Sequence, residues 1–183
     1  MKNQQDASTL SRRNFIGGAA AAALAVSAVT SSAQAASNGK KFKLKYAPSP
    51  GMFQKHAGKD YLDNIKFMAD EGFSAMFDNG LMGQSKEMQE KIAGAMAQRD
   101  MTMGPFVMYA EFGKPTFVTQ DKEFRKSIIK RTKEAVDVAR RTNTKWTLIA
   151  PGGIIPPTSV TRDITNLIDN LRYCAEIAEK HDV

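Results

Sequence analysis

Apolar and polar residues follow two different periods along the chain from residue 42 onward. Stretches in which the two classes alternate predict strands, because successive side chains of a strand point to opposite faces. These stretches are residues 42–46, 73–77, 101–110 and 145–150. Each is followed by a longer stretch with apolar residues three or four positions apart, which is the spacing of an amphipathic helix. The pattern therefore predicts four strand–helix units.

The predicted helices begin at polar capping residues and each bury one face. Asp60 is the predicted N-cap of the first helix, and the second begins near Ser85. The residues that the last helix is predicted to bury are Ile164, Leu167, Ile168, Leu171 and Ala175. Cys174 is in phase with this face and is therefore predicted to be a buried small hydrophobic residue. Trp146 begins the fourth strand and is predicted to lie in the core.

Strands that alternate with helices predict right-handed crossovers and a parallel sheet. The first three predicted strands start about thirty residues apart, the length of one unit in a (β/α)8 TIM barrel of about 250 residues. A complete doubly wound sheet is the alternative, and its first strand should lead into a glycine-rich phosphate-binding turn. The sequence at that place, APSPGMFQKHAG, lacks the G-x-G-x-x-G spacing. We therefore predict an α/β fold that holds the first four units of a (β/α)8 barrel, cut where the fifth strand should start.

The first 35 residues have the three regions of an export signal. A polar leader with Arg12 and Arg13 precedes a mildly apolar run, and the small residues Ala33 and Ala35 form an A-x-A cleavage motif. The run is too short and too rich in Gly and Ala for a stable membrane span. The motif SRRNFI resembles a twin-arginine signal. We predict a signal peptide at residues 1–35, a linker at 36–41 and the half barrel at 42–183. The expected partner is the twin-arginine translocon, and the expected location is periplasmic or secreted.

The positive charge of the chain does not indicate a nucleic acid or another polymeric anion as a partner. The formal net charge is +7 and the sequence pI is about 9.5. However, the basic residues are scattered over the predicted helix faces, with no interleaved aromatic residues, so we predict no nucleic-acid partner. Cys174 is the only cysteine of the chain, which excludes an internal disulfide.

Three phrases of the sequence carry a family resemblance. KYAPSPGMFQKHAG, IKFMADEGFSAMFDNG and WTLIAPGG together resemble the xylose-isomerase-like TIM-barrel superfamily, and within it the exported, hydroxypyruvate-isomerase-like branch. The resemblance implies aldose–ketose isomerisation or epimerisation of a sugar or small hydroxy-carbonyl substrate, assisted by a divalent metal (Mg, Mn or Zn). It also implies that the metal-binding and proton-moving carboxylates follow strand five and later strands, beyond Val183. No catalytic residue or metal ligand is therefore assigned to this chain, and the four units alone are predicted to be inactive and to hold no metal.

Five residues of the predicted loops are candidates for a substrate pocket, because barrel active sites form at the carboxyl ends of the strands. They are His56, Asp78, Asn79, Glu111 and Gly152. Each candidate has a structural alternative. His56 and Glu111 are then solvent-exposed loop residues, Asp78 forms a turn or caps a helix, and Gly152 turns the chain. Relatives often carry a Glu where this sequence has Asp78 followed by Asn79, which leaves the substrate contacts at that strand end open.

Two functions remain open at this point. The first is an exported, metal-assisted isomerase or epimerase, and the second is a non-catalytic carbohydrate-binding barrel protein. Strand-end Glu, Asp and His residues in the second half of the barrel would favour the enzyme. Four parallel strands would also leave two open edges, which predicts edge-to-edge self-association of the chain.

Overall fold

The computed structural model describes residues 41–154 and 159–183, which belong to one compact unit, Ser37–Val183. The predicted signal peptide and residues 36–40 of the predicted linker lie outside the described residues. The helices are α1 Gln54–Ala57, α2 Tyr61–Asp70, α3 Lys86–Ala97, α4 Lys122–Thr142 and α5 Val160–Glu179. The strands are β1 Ala75–Met76, β2 Thr102–Met103, β3 Phe106–Ala110 and β4 Thr147–Ala150, and a 3-10 turn spans Leu81–Gly83. The chain is thus an α/β fold in which strands and helices alternate.

All strand pairs of the described residues are parallel. β1 pairs with β2, and β3 pairs with β4, so the strands form two short ladders. The single strand predicted at residues 101–110 is in fact broken between β2 and β3. Gly104 still donates its N–H to the Met76 carbonyl at 2.6 Å, but Pro105 has no N–H to continue the ladder. The chain therefore leaves β1 at this point and pairs with β4.

The strand predicted at residues 42–46 is wrong. Phe42 donates its N–H to the Gly72 carbonyl at 3.1 Å, but the N–H of Tyr46 bonds to Leu44 within the same segment. That local bond bends the backbone and takes a donor that a ladder would need. The side chains of Phe42, Leu44 and Tyr46 are 44%, 65% and 53% exposed.

The helix starts follow the predicted capping residues. The Asp60 carboxylate accepts hydrogen bonds from the N–H groups of Leu62 and Asp63 at the start of α2. Ser85 caps α3 in the same way, through the N–H of Met88. At the carboxyl end of α4, Asn143 adopts a left-handed conformation with φ of 52°, which ends the helix.

The predicted buried face of α5 is wrong for three of its five residues. Ile164 and Ile168 are 51% and 44% exposed and Ala175 is also exposed, while Leu167 and Leu171 are half-buried. Asn170 is fully buried and donates its side-chain N–H groups to the carbonyls of Phe117 and Thr119, both at 2.8 Å. These bonds turn a polar face of the helix toward the loop before α4.

The core lies between the strands and the helices and is rich in methionine. Its fully buried members are Ile65, Met68, Met76, Leu81, Ile92, Phe106 and Phe117. Cys174 is buried beside them as predicted, and desolvation raises the pKa of its thiol. Trp146, in contrast, is 67% exposed, so its predicted place in the core is wrong. Within the described ranges, every helix is too short or too polar to cross a membrane.

Candidate functional site

A cleft opens where the two strand ladders separate. The β1–β2 ladder ends at the pair Met76 and Met103, and β3 then diverges to pair with β4. The cleft has a volume of about 540 Å³. Its lining residues are Asn79, Gly80, Met82 and Gly83 after β1, Val107 to Ala110 of β3, and Ser127 and Arg131 of α4. In parallel α/β folds, a crevice at the carboxyl ends of separating strands is the usual ligand site.

Arg131 forms one wall of the cleft and is held by a backbone carbonyl. Its Nε donates to the Met108 carbonyl oxygen at 3.0 Å. The β3–β4 pairing passes from Val107 to Tyr109 and leaves Met108 without a partner residue in β4. The guanidinium therefore supplies to the Met108 carbonyl the hydrogen-bond donor that a neighbouring strand would otherwise supply. One terminal nitrogen lies 3.6 Å from the Glu134 carboxylate. A guanidinium keeps its charge at physiological pH and has five N–H donors, so further donors remain for a ligand.

Asp78 shapes the turn that presents Asn79 to the cleft. One carboxylate oxygen of Asp78 accepts from the Gly80 N–H at 2.8 Å, and the other accepts from the Tyr61 hydroxyl at 2.8 Å. Asp78 is buried, whereas Asn79 is exposed. The side-chain bond to the backbone two residues on is a typical Asx turn. This geometry corresponds to the turn-forming alternative for Asp78.

Tyr61 is a half-buried donor that the sequence did not indicate. Desolvation raises the pKa of its phenol far above the usual range, and the charge of Asp78 and the hydrogen bond to it act in the same direction. The phenol therefore stays protonated and keeps donating to Asp78. Tyr61 lies 17 residues before Asp78, at the first position of α2, so the contact depends on the tertiary fold.

The other three candidates lie outside the lining of the cleft. His56 is an exposed residue of α1, and its ring stacks on Phe67 at 5.8 Å and an interplanar angle of 12°. Glu111 is half-buried and accepts from the Gly113 N–H at 3.2 Å. The structure therefore does not bring His56 or Glu111 together with Asn79 around this cleft.

Gly152 joins two loops at the carboxyl ends of β3 and β4. Its φ is +82°, and a Cβ there would lie 2.4 Å from the Lys114 carbonyl and 2.6 Å from the Thr116 hydroxyl. Thr116 donates to the Pro151 carbonyl at 2.7 Å, which fastens the same pair of loops. The close backbone approach predicted at Gly152 is thus made to the chain itself in this structure.

The cleft offers binding groups rather than proton-transfer groups. Among the residues described, its lining has the amide of Asn79, the hydroxyls of Ser127 and Tyr109 and the guanidinium of Arg131, but no carboxylate or imidazole. Such a set suits a ligand rich in hydroxyl, carbonyl or carboxylate oxygens. Residues 41–154 and 159–183 also contain no group of three His, Cys, Asp or Glu side chains that could hold a metal ion. The residues present therefore do not fit a divalent metal.

Sequence reasoning missed Arg131 and Ser127. Both lie on α4, and their spacing of four residues places them on one face of the helix. They are adjacent in sequence to the buried residues Ile128 and Thr132, so they border the face that packs on the strands. This adjacency was the available signal. It did not distinguish a cleft from a solvated helix flank.

The family of the chain follows from its sequence match. A family model described as xylose isomerase-like TIM barrel matches residues 65–183. The chain belongs to this family. The predicted resemblance to the xylose-isomerase-like superfamily is therefore confirmed. No curated protein sequence matches the chain.

Solved structures give the same fold. D-psicose 3-epimerase with D-tagatose from Clostridium cellulolyticum H10 aligns with a TM-score of 0.54 and 14% identity, over 68% of this chain and 45% of that chain. An AP endonuclease of family 2 from Brucella melitensis aligns with a TM-score of 0.56 and 18% identity, over 76% and 52%. The probable 3-DHS dehydratase AsbF from Bacillus anthracis aligns with a TM-score of 0.57 and 13% identity, over 76% and 50%.

These matches confirm the predicted partial barrel. The chain spans about half the length of each of these structures. Its parallel strands alternate with helices as in a TIM barrel. At such low identities the likeness concerns the fold alone.

Proposed function

We propose that the protein to which these units belong is an isomerase or epimerase of a sugar or small hydroxy-carbonyl compound, similar to hydroxypyruvate isomerase. The observation that supports this proposal is the cleft at the carboxyl ends of β1 and β3, in a chain of the xylose isomerase-like family. Its amide, two hydroxyls and guanidinium suit a ligand with several oxygen atoms. Among the structural neighbours, the enzyme from Clostridium cellulolyticum is an epimerase of such a ligand class.

In this proposal the described residues bind and orient the substrate. Arg131 donates to a carbonyl or carboxylate oxygen, and Asn79 and Ser127 contact hydroxyl groups. The resemblance implies a divalent metal (Mg, Mn or Zn), which when bound would stabilise the negative charge that develops on the substrate oxygen. The described residues supply neither its ligands nor the proton-moving carboxylates. The four units alone are therefore expected to bind substrate without converting it.

The first experiment is a ligand titration of the full chain followed by 15N–1H NMR. Hydroxypyruvate and D-tagatose are the probes. We expect shifts of the backbone amides of Asn79, Gly80 and Gly83, and a loss of these shifts in the Arg131→Gln variant. Arg140→Gln is the matched control, because Arg140 is an exposed arginine of the same helix outside the cleft. Shifts confined to other regions, or equal binding by Arg131→Gln, would contradict the proposal.

A non-catalytic carbohydrate-binding protein is the second candidate. The cleft lining favours this candidate, because its side chains can bind a ligand and, among the residues described, include no carboxylate or imidazole that could move a proton. Proton exchange, measured on the intact protein to which these units belong, separates the two functions. An isomerase or epimerase with Mg, Mn or Zn exchanges the hydrogen next to the substrate carbonyl with D₂O, which one-dimensional NMR detects. A binding protein shifts the same ligand resonances without exchange.

We also propose export through the twin-arginine pathway. The support is the sequence around Arg12 and Arg13 and the A-x-A motif of Ala33 and Ala35. A chain that folds before export would then act in the periplasm or outside the cell.

A further inference from the structure

A second cavity lies between the loop that follows β3 and the first turns of α5. Its volume is about 340 Å³, within the range of about 300–1,000 Å³ that is usual for small-molecule sites. None of its lining residues lines the cleft at β1 and β3. The lining consists of Pro115, Val118, Thr119 and Gln120 of the loop and Arg162, Asp163 and Asn166 of α5.

The two walls of this cavity are fastened to each other by Asn166. This residue is buried, and its side-chain N–H donates to the Val118 carbonyl at 2.8 Å. Its side-chain oxygen accepts from the Gln120 amide at 3.1 Å. One residue of the helix therefore bonds to both the backbone and a side chain of the facing loop. A cavity with fixed walls needs little rearrangement when a ligand binds, which favours affinity.

Asp163 brings to the cavity a buried carboxylate that lacks a hydrogen bond. The residue is 4% exposed, and its Oδ2 has no hydrogen-bond partner. The Arg162 Nε lies 3.7 Å from Oδ1, which is too long for a hydrogen bond. By contrast, the buried carboxylate of Asp78 accepts two hydrogen bonds. Buried charged groups are normally hydrogen-bonded, because an uncompensated one is costly, so Asp163 needs a donor that the described residues do not supply.

The groups around Asp163 restrict the kind of donor that fits. The carboxylate can only accept hydrogen bonds, and the guanidinium of Arg162 can only donate them. A hydroxyl group does both, so two neighbouring hydroxyl groups can donate to Asp163 and accept from Arg162 at once. A simple cation would satisfy Asp163 alone and be repelled by Arg162, and an anion would meet the reverse. A neutral ligand also loses less hydration free energy than a charged one when it enters the cavity.

We propose that this cavity binds a neutral, hydroxyl-rich ligand of the size of a monosaccharide. Asp163 accepts hydrogen bonds from the ligand, and Arg162 donates to a neighbouring hydroxyl group. The side chains of Thr119 and Gln120 belong to the same lining and add further polar contacts. The inference does not rest on the proposed function, because it uses no residue of the cleft.

The first test titrates the full 183-residue chain with D-glucose and follows it by 15N–1H NMR. We expect shifts of the backbone amides of Thr119 and Gln120 and of the Arg162 Nε–H. Asp163→Asn should raise the Kd for D-glucose about tenfold or more, because a neutral amide replaces the charged acceptor. Asp169→Asn is the control, because Asp169 lies on the same helix outside the cavity, and it should bind as the wild type does.

The second test separates ligand binding from a purely structural role of Asp163. In the ligand-free Asp163→Asn variant, the side-chain amide signals of Asn166 and Gln120 should keep their wild-type positions, which shows that the walls remain fastened. Arg162→Gln changes an exposed residue and should also raise the Kd for D-glucose several-fold. Arg172→Gln is its matched control, since Arg172 is an exposed arginine of α5 outside the cavity.

The contrary results are equally specific. A structural role alone would move the Asn166 and Gln120 signals in Asp163→Asn without ligand and would leave binding by Arg162→Gln unchanged. Shifts confined to the cleft, equal binding by Asp163→Asn, or tighter binding of glycine or ammonium chloride than of D-glucose would each overturn the proposal.

Discussion

The Tyr61–Asp78 hydrogen bond predicts how Tyr61→Phe changes stability with pH. The substitution removes the hydroxyl that donates to the Asp78 carboxylate at 2.8 Å and changes little else in the ring. Because Asp78 is buried, its carboxylate then loses a charged hydrogen bond without gaining full access to water. Such a loss costs about 1.5–3 kcal/mol of unfolding free energy. We therefore expect Tyr61→Phe to be about 2 kcal/mol less stable than the wild type at pH 7.

The sign of the pH effect follows from the direction of the pKa shift. Folding raises the pKa of the Tyr61 phenol above the value of about 10 that tyrosine has in an unfolded chain. The stabilisation is therefore fully present below about pH 10 and is lost as the pH rises above it, because only the unfolded state then releases the proton. The difference between wild type and Tyr61→Phe should shrink by about 1.4 kcal/mol per pH unit above pH 10.

Urea unfolding followed by circular dichroism at pH 7, 9, 10 and 11 measures this difference. Tyr173→Phe is the control, because Tyr173 is partly exposed and keeps its ring under Arg125 after the substitution. We expect that variant to stay within about 0.5 kcal/mol of the wild type at pH 7. A loss of less than 0.5 kcal/mol in Tyr61→Phe, or a difference that stays constant to pH 11, would refute the reasoning.

Three further predictions concern single features of the chain. Gly152→Ala should destabilise the fold by about 3 kcal/mol, because φ is +82° and the added Cβ meets the Lys114 carbonyl. Thermal unfolding measures this loss of stability, and a loss below about 1 kcal/mol would contradict the prediction. Asn170→Ala should cost about 2 kcal/mol and speed amide exchange in residues 115–121, because the carbonyls of Phe117 and Thr119 lose their donor; unchanged exchange would contradict it. Replacing both Arg12 and Arg13 by Lys should stop export of a reporter fused after residue 36, while the unchanged signal delivers it to the periplasm.

The parts of the fold that the sequence predicted depend on nearby residues. The starts of α2 and α3 are set by Asp60 and Ser85, whose side chains bond to N–H groups two or three residues on. The helix period of 3.6 residues and the strand period of two are likewise local patterns. Such features were predictable because the residues that decide them are close in sequence.

The errors arise where distant residues decide the outcome. The face of α5 is set by Asn170, whose bonds reach carbonyls 53 and 51 residues earlier in the chain. Hydrophobic periodicity placed Ile164 and Ile168 inside, whereas these hydrogen bonds turn the helix so that both are exposed. An amide on an amphipathic helix gives no sequence signal of its partner.

The cleft shows how a local feature and a distant one combine to make a site. Pro105 was visible in the sequence, and a proline without an N–H predicts a break in a strand ladder. What could not be predicted is which group would bond to the Met108 carbonyl once β3 had left β1. Arg131 takes that role from α4, 23 residues later, and its charge thereby becomes a wall of the cleft. The same break that ends the β1–β2 ladder therefore both opens the cleft and recruits its cationic group, which explains why the five loop residues chosen from the sequence included Asn79 but not Arg131.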